Sequence, residues 1–303
     1  MIISDAIFGF AVGDALGVPA EFKTREELKL NPVTDMLQLD DYPAGMWSDD
    51  TSMTLCTLAS FKENDWKLDC DDIMRRFVKW LNEGYMTATG EVFDVGITTR
   101  KAILRYYNGI SLNECAPQNE WSCGNGSLMR ILPAVFYLVK NQEADMYEVI
   151  KQISGMTHKH SRCIIGCYIY CCIAGTIING RNDDIKELLI CGAEKAFNDL
   201  NLYHSKDELE AYSRIFEKNL YTEPVSNIKS SGYVVDTLEA VLWCLWNTGS
   251  YKGCMLWAVN LGDDADTVAA VAGGLAGLYY GIDDIPKNWL EKLENKELIE
   301  SVC

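Results

Sequence analysis

Two short acidic segments carry the residue types best suited to chemistry: Ser48-Asp49-Asp50 and Asp264-Ala265-Asp266-Thr267, near opposite ends of the chain and each directly before an apolar run at helical spacing. Carboxylate and hydroxyl oxygens are hard ligands for Mg2+ or Mn2+. Brought together, the segments would line a pocket for two such ions about 3.5–4 Å apart, sharing a carboxylate and a water acidified enough to attack a substrate. On a continuous helix Asp264 and Asp266 would point about 200° apart. In a turn before Val268 both can face inward. Taken singly, each segment reads more simply as a helix cap with solvated turn residues, so the metal reading depends on their convergence.

Other polar residues could complete such a site. Gly9, Gly13 and Gly17 share one face of an apolar helix that ends at Val18-Pro19-Ala20, leaving Glu21 at a turn as a general base, a steering group or a plain cap. The glycines permit close approach of a helix or a ligand. Asp94, in Glu91-Val92-Phe93-Asp94-Val95-Gly96, is a further acid beside glycine that could face a metal pocket or a cationic leaving group, or simply cap a helix. In Gly124-Asn125-Gly126-Ser127 the exposed amides of a turn entering a helix could hold a diphosphate, with the Ser127 hydroxyl adding a contact. It lacks the Gly-Lys-Ser/Thr ending of a P-loop. His158 and His160 are two apart without a third nitrogen or carboxylate, which suits hydrogen bonding better than zinc, and no G-x-S-x-G elbow supports a serine hydrolase.

The elements that must position these residues are helices. Apolar periodicity predicts helices over 4–16, 24–29, 50–61, 69–82, 96–108, 127–139, 143–154, 161–178, 183–198, 206–217, 234–246, 250–259, 266–280 and 286–292, with little strand alternation. Asp50-Thr51, Asp69 and Asp145 are candidate N-caps. The expected architecture is all-α, one compact multi-helix domain over residues 1–303, with a more polar peripheral helical excursion at 181–231. At 303 residues and 48% hydrophobic, the chain can bury a large core.

A net charge of −17 argues against a nucleic-acid partner, while a phosphate-bearing small molecule stays open because bound cations reverse the local field. No apolar run reaches 18 residues without polar interruption, which argues against a membrane span. The chain opens with Met1-Ile2-Ile3-Ser4-Asp5 and shows no signal segment. Its 12 cysteines are therefore expected to be reduced thiols in a cytoplasmic protein, with Cys163, Cys167 and Cys171 packing along one helix face.

Taken together, Phe8-Gly9 through Gly17-Val18-Pro19-Ala20-Glu21, Trp47-Ser48-Asp49-Asp50-Thr51, Phe93-Asp94-Val95-Gly96, Gly124 through Arg130, Thr157-His158, Gly232 through Leu238 and Gly262 through Thr267 resemble the ADP-ribosylglycohydrolase family, the relatives of dinitrogenase reductase-activating glycohydrolase. The matching segments run in order along almost the whole chain. The resemblance implies a single all-α domain with two Mg2+ or Mn2+ ions, held by Ser48, Asp49, Asp50, Asp264, Asp266 and Thr267, which cleaves ADP-ribose from an acceptor. It implies that Glu21, Asp94 and Asp264 act in catalysis, Asp94 facing a guanidinium in arginine-directed members. The diphosphate is placed at Gly124, Asn125, Gly126 and Ser127, and His158 joins the substrate-binding set. Two departures stand out: Ser48 replaces a common threonine, keeping the hydroxyl, and Asp263 replaces a glycine, adding a charge to the turn.

The function expected from this resemblance is metal-dependent hydrolysis at the anomeric carbon of the distal ribose, through an oxocarbenium-like transition state. The substrate would be an ADP-ribosylated protein or a small ADP-ribose adduct, with arginine the favoured acceptor. Serine-linked ADP-ribose, O-acetyl-ADP-ribose and an ADP-ribosylated nucleobase are alternatives. So are a noncatalytic ADP-ribose-binding module and a metal-assisted hydrolase of another glycosyl or phosphoryl bond.

Overall fold

The structure is a computed structural model that describes residues 2–38 and 43–303. Helices account for the architecture, as the apolar periodicity predicts, and the protein is a single all-α domain. Among the described residues there is no sheet; one isolated antiparallel bridge joins Gly124 to Tyr233. Six helices frame the site: α1 Ile2–Gly17, α2 Asp49–Glu63, α3 Met146–Gly155, α4 Ser161–Asn179, α5 Val234–Trp246 and α6 Ala265–Tyr280.

The glycine face of α1 brings its backbone into direct contact with that of α6. A Cβ added at Gly9 would lie 2.4 Å from the Gly273 carbonyl oxygen, at Gly13 2.1 Å from that of Ala269, and at Gly17 2.3 Å from the Cα of Asp266. The face therefore serves helix approach, and it seats the end of α1 against the first turn of α6. Tyr251 adds a hydrogen bond from its hydroxyl to the Gly9 carbonyl at 2.6 Å.

Several boundaries differ from expectation for identifiable reasons. Asp69 and Asp145 do cap, accepting from Asp72 N and Glu148 N. At the first acidic segment, however, Ser48 is the N-cap, so Asp49 and Asp50 lie inside the first turn of α2. The helix expected over 127–139 is a 3-10 turn, Leu128–Arg130, followed by Leu132–Lys140, with Pro133 in the opening positions where its missing N–H costs nothing. The one expected over 206–217 breaks into Lys206–Leu209, a 3-10 turn Glu210–Tyr212 and Ser213–Phe216. Two short helices, Leu112–Cys115 and Lys296–Val302, had no periodic signal long enough to read.

Within 181–231, the helix Ile185–Leu200 lies against α4, where Gly192 leaves no room for a Cβ beside Ile173. Ile2–Ala20 and Ser161–Asn179 are long and apolar enough to cross a bilayer by length and composition, yet 83% and 72% of their most apolar windows are buried within the protein. All twelve cysteines are free thiols, and Cys163, Cys167 and Cys171 are buried along α4.

Candidate metal and substrate site

The two acidic segments converge. One carboxylate oxygen each from Glu21, Asp264 and Asp266 lies within 4.8 Å of the others. Asp49 and Asp50 share the same field, since Asp264 is among the charges that raise both. Asp264 can face inward beside Asp266 because it is the non-helical N-cap of α6, with φ −87° and ψ 60°.

A cleft of about 700 Å3 opens over this cluster, lined by Glu21, Asp49, Asp50, Asp94, Asp264 and Thr267 together with Gly124, Asn125, Gly126 and His158. Ser48 and Asp266 sit behind that lining, both buried. A larger depression of about 910 Å3, between Glu63–Asp71 and Glu148–Lys159, mixes lysines and acids and brings no carboxylate set together.

Burial and crowding decide the charge state of these acids. Burial first and Asp94 second push Glu21 up to about 9, with Asp264 and Asp49 adding to it. Asp49, Asp50 and Asp266 are raised well above the carboxylate range, by burial first and then by a neighbouring carboxylate, Asp94 for Asp49, Asp14 for Asp50 and Asp264 for Asp266, and Asp264 is raised by burial. No lysine or arginine is among the largest influences on any of them. Asp50 Oδ2 and Asp266 Oδ1 are buried without a hydrogen-bond partner. A set of inward carboxylates with orphaned oxygens and no counter-charge has the chemistry of a divalent-cation site.

Asp14 was not singled out in the sequence, and it holds the first segment in place. Fully buried in α1, it accepts from Ser48 N at 3.0 Å, Thr51 N at 3.0 Å and Thr51 Oγ1 at 2.6 Å. Burial pushes it up to about 6 against the lowering effect of those bonds. An aspartate inside an otherwise apolar helix was the available signal, because such a group must find partners.

The second segment is tied to Glu21 through the backbone. Phe22 N donates to the Asp263 carbonyl at 2.7 Å and Asp263 N donates to Lys23 O at 2.9 Å. Phe22 and Asp263 take left-handed φ values of 61° and 56°. Aspartate tolerates that region better than most residues, so position 263 keeps a glycine-like backbone while adding a carboxylate to the cleft wall. Arg25 braces the preceding turn, donating to the carbonyls of Leu261, Val225 and Ile228.

In the Gly124–Ser127 loop, Asn125 N donates to Gly232 O at 3.0 Å, and Asn125 Nδ2 donates to Asp264 Oδ2 and Thr237 Oγ1. Gly126 is tightly bordered: a Cβ would stand 2.7 Å from His158 Cε1 and 2.8 Å from Thr99 Oγ1, so those side chains would have to shift. His158 pairs through Nδ1 with Thr157 Oγ1 at 2.8 Å. Burial, then Arg130, holds it down to about 3, so it stays neutral. His160 and His204 also hydrogen-bond as expected, with Arg162 N and the Tyr147 hydroxyl. Ser127 departs from expectation. Its hydroxyl is buried against Ser154 Oγ at 2.9 Å and Cys167 Sγ at 3.5 Å, so it does not reach the cleft.

Comparison with known proteins identifies the family. The family model for ADP-ribosylglycohydrolase matches residues 3–303. The chain belongs to the ADP-ribosylglycohydrolase family. It is 34% identical over 301 residues to ADP-ribosylarginine hydrolase Tri1 of Serratia proteamaculans (strain 568), covering 98% of this chain and 76% of the relative. It is also 34% identical over 296 residues to the ADP-ribosyl-[dinitrogen reductase] glycohydrolase of Rhodospirillum rubrum, covering 96% and 90%. A solved structure of an ADP-ribosylglycohydrolase-related protein complex superposes with a TM-score of 0.79 at 29% identity, over 99% of this chain and 95% of that one. As an ADP-ribosylglycohydrolase, this enzyme hydrolyses the glycosidic bond that joins ADP-ribose to an acceptor.

Proposed function

We propose that the enzyme releases ADP-ribose from arginine side chains of modified proteins, using two divalent cations held by Ser48, Asp49, Asp50, Asp264, Asp266 and Thr267. The observation that carries the metal assignment is the pair of buried, partnerless oxygens, Asp50 Oδ2 and Asp266 Oδ1, inside a carboxylate cluster with no counter-charge. Mg2+ or Mn2+ bound there would neutralise the cluster, bring Glu21 back toward the carboxylate range and supply Lewis-acid polarisation of ribose oxygens and the attacking water.

The chain's own groups divide the remaining work. The amides of Gly124 and Gly126 offer donors to a diphosphate, and neutral His158 borders the same surface. Glu21, beside Asp264 and Asp94, is placed to take a proton from an attacking water. Asp94 is exposed in the cleft wall with φ 49°, where a carboxylate attracts a guanidinium leaving group. The similarity to ADP-ribosylarginine hydrolase Tri1 at 34% identity favours this acceptor over the alternatives.

Purified enzyme with Mg2+ or Mn2+ is to be offered protein substrates ADP-ribosylated on arginine or serine, O-acetyl-ADP-ribose and an ADP-ribosylated nucleobase. Release from the arginine adduct is expected. Release only from the others would overturn the arginine assignment.

A further inference from the structure

Arg130 is a buried cation without a counter-ion. Its side chain is 0% exposed, Nη1 donates to Gly126 O, Nη2 donates to Ile153 O at 3.1 Å, and Nε has no partner. The guanidinium stacks over Phe77 at 5.4 Å from the ring centroid, and the ionisable groups with most influence on it are the thiols Cys167, Cys163 and Cys70, which their own raised pKa values keep neutral. A charge removed from water without a partner of opposite sign is costly, so its presence here calls for a compensating role.

Its two carbonyl partners indicate that role. Gly126 belongs to the loop that lines the cleft, and its missing side chain is the space His158 occupies. Ile153 is in the last turn of α3, where carbonyls lack helical partners and favour a cation. The turn that follows carries His158 to the cleft, with Ser154 accepting from His158 N at 2.9 Å. One guanidinium thus ties together the two segments that face a bound diphosphate. It also places a positive charge directly behind them in a protein of net charge −17, and burial spares that charge from salt screening.

We propose that Arg130 is a positioning residue for the diphosphate: it fixes the Gly124–Gly126 loop against His158 and supplies the fixed positive potential that lets an acid-lined cleft hold a dianion. This rests on the reading of the cleft as an ADP-ribose site. It also assigns a specific consequence to the charge: a ligand with a diphosphate should depend on Arg130, and the same ligand without phosphates should not.

The test is calorimetric binding of ADP and of adenosine, with ADP-ribose as the reference ligand, to wild type, Arg130→Met and Arg130→Lys, each first checked by circular dichroism and melting. In Arg130→Met, ADP affinity is expected to fall at least tenfold and adenosine affinity less than twofold, with Arg130→Lys retaining more ADP affinity than Arg130→Met. If Arg130→Met does not fold, Arg130→Lys carries the comparison, since it keeps the charge but loses the two-carbonyl fork; ADP weakening several-fold with adenosine unchanged is then the expected result. Equal loss of both ligands, or no loss of either, would show a purely structural arginine and overturn the inference while leaving the enzyme's activity in place. A wild type that binds no ADP-ribose would overturn the reading of the cleft and the inference with it.

Discussion

Asn125 donates from Nδ2 to Oδ2 of Asp264 at 2.5 Å, a bond between residues 139 positions apart. It joins the Gly124–Gly126 loop of the cleft to the first carboxylate of the late acidic segment. The same amide bonds Thr237 Oγ1 at 2.9 Å, so three distant stretches of chain meet at one side chain. The Gly124–Gly126 loop and the carboxylate cluster are thereby tied directly to each other.

Replacing both Asp264 and Asp266 by Asn should reduce turnover by about 100-fold or more, since hard anionic ligands become neutral amides. Folding should be retained, and without metal the double variant should melt no lower than wild type because like charges have been removed. Steady-state kinetics with a melting curve in EDTA checks both halves.

In metal-free protein, stability should fall as pH rises. Glu21 and Asp14 have folded pKa values raised to about 9 and about 6, above the ordinary carboxyl range, so the native state binds more protons than the unfolded one. The loss begins near the unfolded carboxyl pKa of roughly 4 and levels off above about 9. Melting temperatures in EDTA across that window should decline, and added Mg2+ or Mn2+ should flatten the curve.

Removing Asp14 should damage the first acidic segment from behind. Asp14→Ala leaves Ser48 N and Thr51 N buried without their acceptor, at about 1–3 kcal/mol each. Chemical denaturation should show that loss, and Mn2+ affinity by titration should drop with it.

Gly13→Ala tests the helix pair that seats the site. The new Cβ would fall 2.1 Å from the Ala269 carbonyl oxygen, a backbone atom that cannot step aside. Destabilisation of about 3 kcal/mol or failure to fold is expected, read as a drop in denaturation midpoint or loss of soluble protein.

Gly126→Ala should act on binding more than on stability. Its Cβ meets the His158 ring and the Thr99 hydroxyl, side-chain atoms that can shift. KM for the ADP-ribosylated substrate should rise several-fold while the melting temperature changes by only a few degrees; an unchanged KM would show that the loop does not touch substrate.

Much of this arrangement was legible in the sequence because it is local. The caps at Asp69 and Asp145, the glycine face of α1 and the two acidic helix starts each declare themselves within a few residues. What sequence alone could not show is set by tertiary contact. Ser127 sits in a turn that looks exposed but its hydroxyl turns toward Ser154 and Cys167. Asp14 acquires its role from Ser48 and Thr51, more than thirty positions away. Ser48 displaces Asp50-Thr51 as the cap because Asp14 already fixes the backbone of that turn.

The most direct test of the central claim is anomalous diffraction from crystals grown with Mn2+ and ADP-ribose. Two manganese peaks between Asp49 and Asp50 on one side and Asp264 and Asp266 on the other, with the distal ribose against them, are expected. Manganese absent from that cluster while ADP-ribose occupies the cleft would contradict the assignment.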